Sequence, residues 1–459
     1  TLNETNIFAF EAQHLLKDED PFYNAIIEDK ENYESTGESL GLDGDQQDYN
    51  INQDRRIKSS QLDAKLDYYY IINPKSNLNV TFGSIFSHQK FNSNLFQFLD
   101  DGLAFNPTPN FNSGLAINDI EYNFKDIYLG AHYRLKVGKF TITPGFSLHS
   151  YGNNNTQFGQ KFKDNFFKIM PDFETRVQFK NSESLTLRYD MQNQFTDITK
   201  LAQGLVLNNF SNIQFGEPEL QNALSHNLSL LYSSFNLFNY TNVFARLAYS
   251  KNIDQIRNIT SFENVISTNT FFNSNFADES ATAFGRIQRT FGKLIASVNL
   301  SFNYSKINQS IDSRRSVNTG FTRSYTPRLR TNFKKAPNIS LKYKYTVSTN
   351  NQGPNETTFY TSAPSLDFDA YIWKSVTLKT DYTYTNQSLR GGNSDNFQTW
   401  NASISYRKNR DTKWEFEVVA TNLLDIDSKV SNTATNLFVS ESRIFIQPRF
   451  ITFRLRYEL

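Results

Sequence analysis

Cysteine is absent from the 459 residues. That suits export through an oxidising compartment, where a stray thiol would mispair, and it is equally compatible with a cytosolic life. An excess of charge is missing too: 47 basic and 46 acidic side chains leave a formal charge of +1, so nothing draws the chain as a whole onto nucleic acid. No run approaches the roughly 18 consecutive apolar residues of a membrane-spanning helix. If the chain crosses a bilayer, it does so with strands. It opens with Thr1-Leu2-Asn3-Glu4, with neither an initiator Met nor a charged-then-apolar leader, and reads as a mature or truncated piece of something longer.

Motifs of catalysis are also missing. His14, His88, His132, His149 and His226 are scattered, with no His-Glu-x-x-His pair and no Gly-x-Ser-x-Gly elbow. Ser, His and Asp could still meet from different strands, but the expectation is a non-enzyme with no cofactor and no committed metal. Asp43-Gly44-Asp45-Gln46-Gln47-Asp48 could hold calcium with its carboxylates. It lacks the twelve-residue register of an EF-hand, which favours a solvated loop.

What is abundant is aromatic: 42 Phe and 24 Tyr in a chain whose mean hydropathy is nevertheless polar, −0.56. A sheet with one greasy and one wet face has that average. Period-two alternation runs from end to end. Leu62, Ala64, Leu66, Tyr68, Tyr70 and Ile72 share one face, with Asp63, Lys65, Asp67 and Tyr69 on the other. Ile127, Leu129, Ala131, Tyr133, Leu135 and Val137 repeat the pattern, as do Leu294, Ala296, Val298, Leu300, Phe302 and Tyr304. Each stretch reaches the about 9–11 residues that a tilted strand needs to cross a bilayer.

Spacing then alternates. Tight turns are expected at Asn73-Pro74-Lys75-Ser76, Gly138-Lys139, Asn181-Ser182-Glu183, Asn236 to Tyr240, Gly292-Lys293, Lys335-Ala336-Pro337, Lys374-Ser375 and Asn409-Arg410-Asp411. Longer polar connections fall between them: Gln97 to Asn118, Ile198 to Ser225, Thr349 to Glu356, Gly391 to Asp395 and Asp425 to Ser442. Short turns at one end and long loops at the other are the arrangement of an outer-membrane barrel, short turns periplasmic, and counting gives about 18 strands. The fold expected is therefore all-β, a transmembrane antiparallel β-barrel, with residues 1–459 as one domain. A soluble propeller or sandwich would have strands of about 5–6 residues and no such alternation of loops.

Trp373 and Trp414 flank tight turns and Trp400 follows the Gly391 loop, as girdle residues at the two rims would. The final stretch alternates to its end, with Ile451, Phe453, Leu455, Tyr457 and Leu459 toward lipid and Arg454, Arg456 and Glu458 toward the lumen. A charged lumen is expected, built from Arg134, Lys136, Arg188, Asp190, Arg246, Arg286, Arg328, Arg330, Lys342, Lys344, Asp367, Asp369, Lys379, Asp381, Arg454 and Arg456. Such residues solvate the interior and pack against a plug, or bias it toward anionic solutes.

Phe215-Gly216-Glu217-Pro218-Glu219-Leu220, followed by Ser225-His226-Asn227-Leu228-Ser229-Leu230, resembles the Gly-Asn-Pro-x-Leu stretch of TonB-dependent receptors of the Asn- and Tyr-rich outer-membrane β-barrel type. Ala420-Thr421-Asn422-Leu423-Leu424-Asp425 resembles that family's exit from the penultimate strand, as does the Arg-rich last strand. Glu217 stands where the family has Asn, and Leu459 where outer-membrane barrels commonly end in Phe. The resemblance implies a 22-stranded barrel with an N-terminal plug that couples to TonB. The plug and first strands would then lie upstream of Thr1. A complete 18-stranded passive porin and a structural or adhesive outer-membrane protein stay open as alternatives. The expected partners are outer-membrane lipid, TonB through that plug and a surface lipoprotein, with no nucleic acid. The imported ligand would be a chelate, a glycan or a peptide.

Recognition is expected on the external loops. Gln97 to Asn118 carries Phe98, Leu99, Leu103, Phe105, Phe111 and Leu115, with Pro107 and Pro109. Lys200 to Leu224 is comparable. Apolar residues there imply a ligand, a lid partner or packing between loops.

Overall fold

Alternation of this kind can hide its greasy side only as strands, and in the computed structural model nearly all of the chain is strand. The structure describes residues 5–107, 116–263, 266–311, 314–334, 337–353, 355–373, 375–392, 394–409, 411–434 and 439–458. Pro109, Phe111, Leu115, Lys335, Ala336, Lys374, Arg410 and Leu459 lie outside them.

A continuous antiparallel wall begins with β1 (Asn6–Glu19), β2 (Tyr49–Asn73), β3 (Ser76–Phe98), β4 (Ile117–Val137), β5 (Phe140–Gln157) and β6 (Gln160–Lys180). It continues through β7 (Glu183–Gln194), β8 (Ala223–Asn236), β9 (Thr241–Ile253), β10 (Asp278–Phe291), β11 (Leu294–Ile311) and β12 (Arg314–Thr331). It ends with β13 (Asn338–Gln352), β14 (Asn355–Ile372), β15 (Val376–Leu389), β16 (Ser394–Tyr406), β17 (Trp414–Thr421) and β18 (Phe450–Tyr457). Each strand is hydrogen-bonded to the next. The wall meets the expected count of about 18. Among the described residues no pairing joins β1 to β18. The shorter strands 22–27, 104–105, 206–209, 212–214, 255–263, 266–274, 428–434 and 439–445 belong to the connections at one end.

At the opposite end the turns are tight where the spacing places them, as across 73–76, 138–139 and 292–293. The looped end differs from the expected spacing. The connections expected as long at Thr349 to Glu356 and Gly391 to Asp395 are short, because β13 and β14 run on to residues 352 and 355, and β15 and β16 to 389 and 394. A further tight turn, Phe158-Gly159, joins β5 to β6 at that end. Both of its residues have positive φ, 50° and 78°, the left-handed backbone a two-residue hairpin requires. Asp425 to Ser442 contains a hairpin of its own, 428–434 with 439–445.

The registers assign every side chain a face. Lys342 lies opposite Arg328 and Ser365, Asp367 opposite Asp381, Glu417 opposite Arg454, and Arg188 opposite Glu174. Followed pair by pair, all sixteen charged residues expected in the lumen share one face of the wall. Leu129, Val298 and Leu455 lie on the other, where they are exposed.

Along several strands the alternation changes phase. In β4, Ile127, Leu129, Tyr133 and Val137 point outward and are exposed, while the inward Asp126 is buried. Above Ile127 the outward residues become Asp119, Glu121, Asn123 and Lys125, and the inward ones Ile120, Tyr122 and Phe124, all three buried. Such an inversion marks the outer limit of the apolar band, since outward positions below it must be greasy and those above it wet. The limit is continuous from strand to strand: Leu62 pairs with Phe86, Phe86 with Lys125, Ile127 with Ser150, and Ser150 with Phe167. From Leu62 to Ile72, and from Ile127 to Val137, each strand crosses in about the 9–11 residues a bilayer demands.

Candidate functional site

Above that limit the inward face of β2 to β6 carries clusters of large apolar side chains interspersed with amides, and the chain covers it with its own connections. Phe91, Ile120, Tyr122, Phe124 and Tyr151 of the wall bury against Ile198, Leu201, Ala202, Val206 and Leu220. Ile51 and Leu95 bury against Leu205, Leu207 and Ile213, together with Leu40 and Ile266. Full burial of such side chains is worth about 1.5–3 kcal/mol each. Most of the candidate loop Lys200 to Leu224 is therefore a packed lid on the luminal face. Of the three explanations for its apolar residues, packing between loops is the one the structure supplies.

A lid brings backbone amides with it, and buried amides must find partners. Wall side chains provide them. Gln53 donates from Nε2 to the Leu205 carbonyl at 3.1 Å and accepts at Oε1 from the Leu207 N–H at 2.9 Å. Asn118 donates to the same Leu205 carbonyl at 3.1 Å and accepts from the Gly204 N–H at 2.8 Å. Gln157 donates to the Leu201 carbonyl at 2.9 Å and accepts from the Gln203 N–H at 3.0 Å. Gln97 does the same to Asp43, at 3.2 and 2.8 Å. Primary amides suit this task because each carries a donor and an acceptor in one plane, as a backbone peptide does. Gly204 lies so close that a Cβ there would meet the Ile117 carbonyl at 2.1 Å.

The stretch Phe215 to Leu220 is the lid's closing staple. Gly216 N–H donates to the Ala202 carbonyl at 2.6 Å and Glu217 N–H to the Lys200 carbonyl at 2.8 Å. A Cβ on Gly216 would sit 2.4 Å from that Lys200 oxygen. At the other resemblance, Asn422 and Asp425 both have positive φ, 52° and 58°. Asn422 bonds through its side chain to Ile426 N and O, and Asp425 accepts from Arg449 N–H.

Between lid and wall lies a polar pocket of about 290 Å³ lined by Tyr122, Asn155, Asp164, Pro218, Glu219 and Gln221. Two buried acceptors in it, Asn155 Oδ1 and Asp164 Oδ2, have no donor among the described residues. Burial raises the Tyr122 phenol pKa well above its ordinary value. A far more apolar depression of about 760 Å³ between Val298, Pro327, Leu341 and Pro364 carries no recognition chemistry. It lies on the outward, lipid-facing side of the wall.

The first candidate loop, Gln97 to Asn118, contributes its end residues to the clamps; of its interior, Leu103 is exposed and Phe98 partly so. The acidic loop is stapled from within. Lys30 donates to the Gly44 and Gln46 carbonyls, and the Asp43 carboxylate accepts from Asp45 N–H and Gln46 Nε2. The Lys30 ammonium thus ties the loop together through two backbone carbonyls. Among the described residues no cluster of three or more His, Asp or Glu suited to a metal occurs.

Three strand residues do meet in the order of a nucleophile relay. Ser147 Oγ lies 2.9 Å from His149 Nε2, and His149 Nδ1 lies 2.9 Å from Asp126 Oδ2. Ser147 and His149 are both in ladders on each side, so their backbone N–H groups are not free to bind an oxyanion. Arg188, which lines a cavity together with Ser147, is held by Glu174 at 2.7 Å. His149 stacks on Tyr128 and Tyr151, at 5.0 and 5.3 Å between centroids. The arrangement positions aromatic rings along the inner wall.

A family model described as "Outer membrane protein beta-barrel family" matches residues 23–457. Solved structures with similar form include the copper transporter OprC, 8% identical, covering 99% of this chain and 80% of that one at a TM-score of 0.42. The siderophore receptor PirA from Pseudomonas aeruginosa is 12% identical, over 83% of this chain and 71% of that one, at 0.34. OmpT of Vibrio cholerae is 9% identical, over 83% and 99%, at 0.32. No curated protein sequence matches the chain.

Proposed function

Because the chain belongs to the outer membrane protein beta-barrel family and so resides in the cell outer membrane, we propose that it is the wall of a solute importer, a TonB-dependent receptor, gated at its external mouth by the lid of residues 198–222. The observation that carries this reading is the set of two-point amide clamps holding the lid to the luminal face. A barrel that served only as a scaffold or adhesin would have no use for a peptide strapped inside its mouth. The straps are neutral hydrogen bonds of about 0.5–1.5 kcal/mol net each, strong enough together to hold a closed state and weak enough individually to yield to a ligand.

The polar pocket at the lid's edge is the first contact for that ligand. Its unpartnered acceptors favour hydroxyl or ammonium donors, which glycans and peptides carry. A plug that couples to TonB, and a surface lipoprotein that delivers the ligand, are the partners this reading requires. No catalytic step is assigned.

A passive porin is the second reading, favoured by the uninterrupted run of 18 wall strands. Uptake by intact cells before and after collapse of the proton-motive force separates the two. Loss of uptake supports the coupled receptor. Unchanged uptake, with a native protein whose measured mass leaves no room for a plug, supports the porin.

A further inference from the structure

On the outward face, directly above the limit of the apolar band, lies a groove of about 880 Å³ across β1 to β6. Its lower lip is apolar, Leu62 and Phe86, which pair with one another at the top of the membrane zone. Its upper part is basic and polar, with Lys125 and Lys163 the principal cations.

The groove is built to keep Lys125 in place. A Cβ on the facing Gly152 would stand 2.6 Å from Lys125 Cε and 3.0 Å from its Cγ. The lysine stem therefore lies over the glycine, where Asn165 Oδ1 of the next strand also comes within 3.0 Å of that Cβ position. Several other cations of this face have acidic neighbours: Arg56 and Lys58 meet Asp18, and Lys90 meets Glu121. Among the described residues neither Lys125 nor Lys163 has an ion-pair partner.

We infer that this groove binds a phosphate-bearing lipid of the outer leaflet, with acyl chains against Leu62 and Phe86 and the phosphates on Lys125 and Lys163. Two observations select that occupant. Charge complementarity asks for an anion, since the unpaired ammoniums are the excess charge here. The phase of the alternation then puts that anion at the level where acyl chains give way to headgroups, on the side of the wall that faces the bilayer. A soluble anion would need only the lysines and would gain nothing from the apolar lip.

The test is performed on the full protein in phosphatidylcholine nanodiscs, with a bisphosphorylated acylated disaccharide, lipid A, as probe. Binding is measured for the wild type, for Lys125→Ala/Lys163→Ala, for Lys125→Arg/Lys163→Arg, and for Lys139→Ala at a tight turn on the opposite rim. Resistance to unfolding in cold detergent shows that each is folded. The alanine pair should bind lipid A about thirtyfold more weakly, at about one kcal/mol per basic residue near an anionic surface and 1.4 kcal/mol per tenfold. The arginine pair and Lys139→Ala should bind as wild type. Wild-type affinity in the alanine pair, or an arginine pair as weak as alanine, overturns the proposal. So does inorganic phosphate that displaces the lipid at equal concentration, since the lipid body would then contribute nothing.

Discussion

The side chain of Gln53, on strand β2, holds the backbone of Leu207, 154 residues further along the chain, by accepting from its N–H at 2.9 Å, while the same amide donates to the Leu205 carbonyl. Gln53 is fully buried. This clamp engages the lid's backbone, while the lid's apolar side chains bury separately against the wall.

Replacing Gln53 by Leu leaves the Leu207 N–H buried without its acceptor, at about 1–3 kcal/mol, and the Leu205 carbonyl with Asn118 as its remaining side-chain donor. The barrel ladders are untouched. Hydrogen exchange at residues 201–207 should accelerate by about tenfold or more, with exchange in β11 to β16 unchanged. Wild-type protection of the lid would show that the amide clamp does not hold it.

Gly204→Ala drives a methyl into the Ile117 carbonyl, 2.1 Å from an ideal Cβ. Backbone cannot move aside as a flexible side chain would, so the lid must lift. In planar bilayers the variant should show larger conductance than wild type. Equal conductance would place the lid away from the permeation path.

Lysine at Leu129, Val298 or Leu455 should each lower folding stability in lipid by about 2–4 kcal/mol where the site is near the bilayer midplane. Asn299→Lys, on the luminal face beside Val298, should cost little. Denaturant unfolding in lipid vesicles measures both, and equal costs at 298 and 299 would contradict the assigned faces.

The absence of native cysteine makes the limit of the apolar band directly measurable. Cysteine introduced at Asn123 should react with a membrane-impermeant maleimide on intact cells, and cysteine at Leu129 should not. Both positions are outward on β4, six residues apart, so reaction at both would move the membrane limit downward.

Much of the wall was legible in the alternation. A strand with one face in lipid must repeat every second residue, and Leu62 to Ile72 or Ile451 to Tyr457 could be assigned to a face without coordinates. Tight turns were legible for the same local reason, through Gly138 or Gly292, both at positive φ. Phe158-Gly159 was missed because a bulky residue in left-handed backbone does not announce a turn. The long connections were overcounted because polar residues at Thr349 to Glu356 read as loop, although an extended hairpin above the membrane is wet on its outer face as well.

The candidate loops were located by their apolar residues, but their role was not. Ile198, Leu201, Leu205 and Leu207 are as compatible with a bound ligand as with a packed lid until the inward face of β2 to β5 is known to carry apolar clusters above Ile127. The inversion of phase along β4 was present in the sequence, yet it could be recognised only once those residues were known to continue one strand. Ser147, His149 and Asp126 left no motif, since they meet across a ladder whose register is set by a distant turn.

The sequence by itself determined that the chain is a membrane wall, which side of each strand is greasy, and about how many times it crosses, because the bilayer imposes a local rule on every second residue. Tertiary structure alone decided what fills the mouth. Gln53, Gln97, Asn118 and Gln157 are ordinary polar residues in the sequence. They become clamps because the registers bring them to one face opposite backbone groups that, once buried, have no water to bond with.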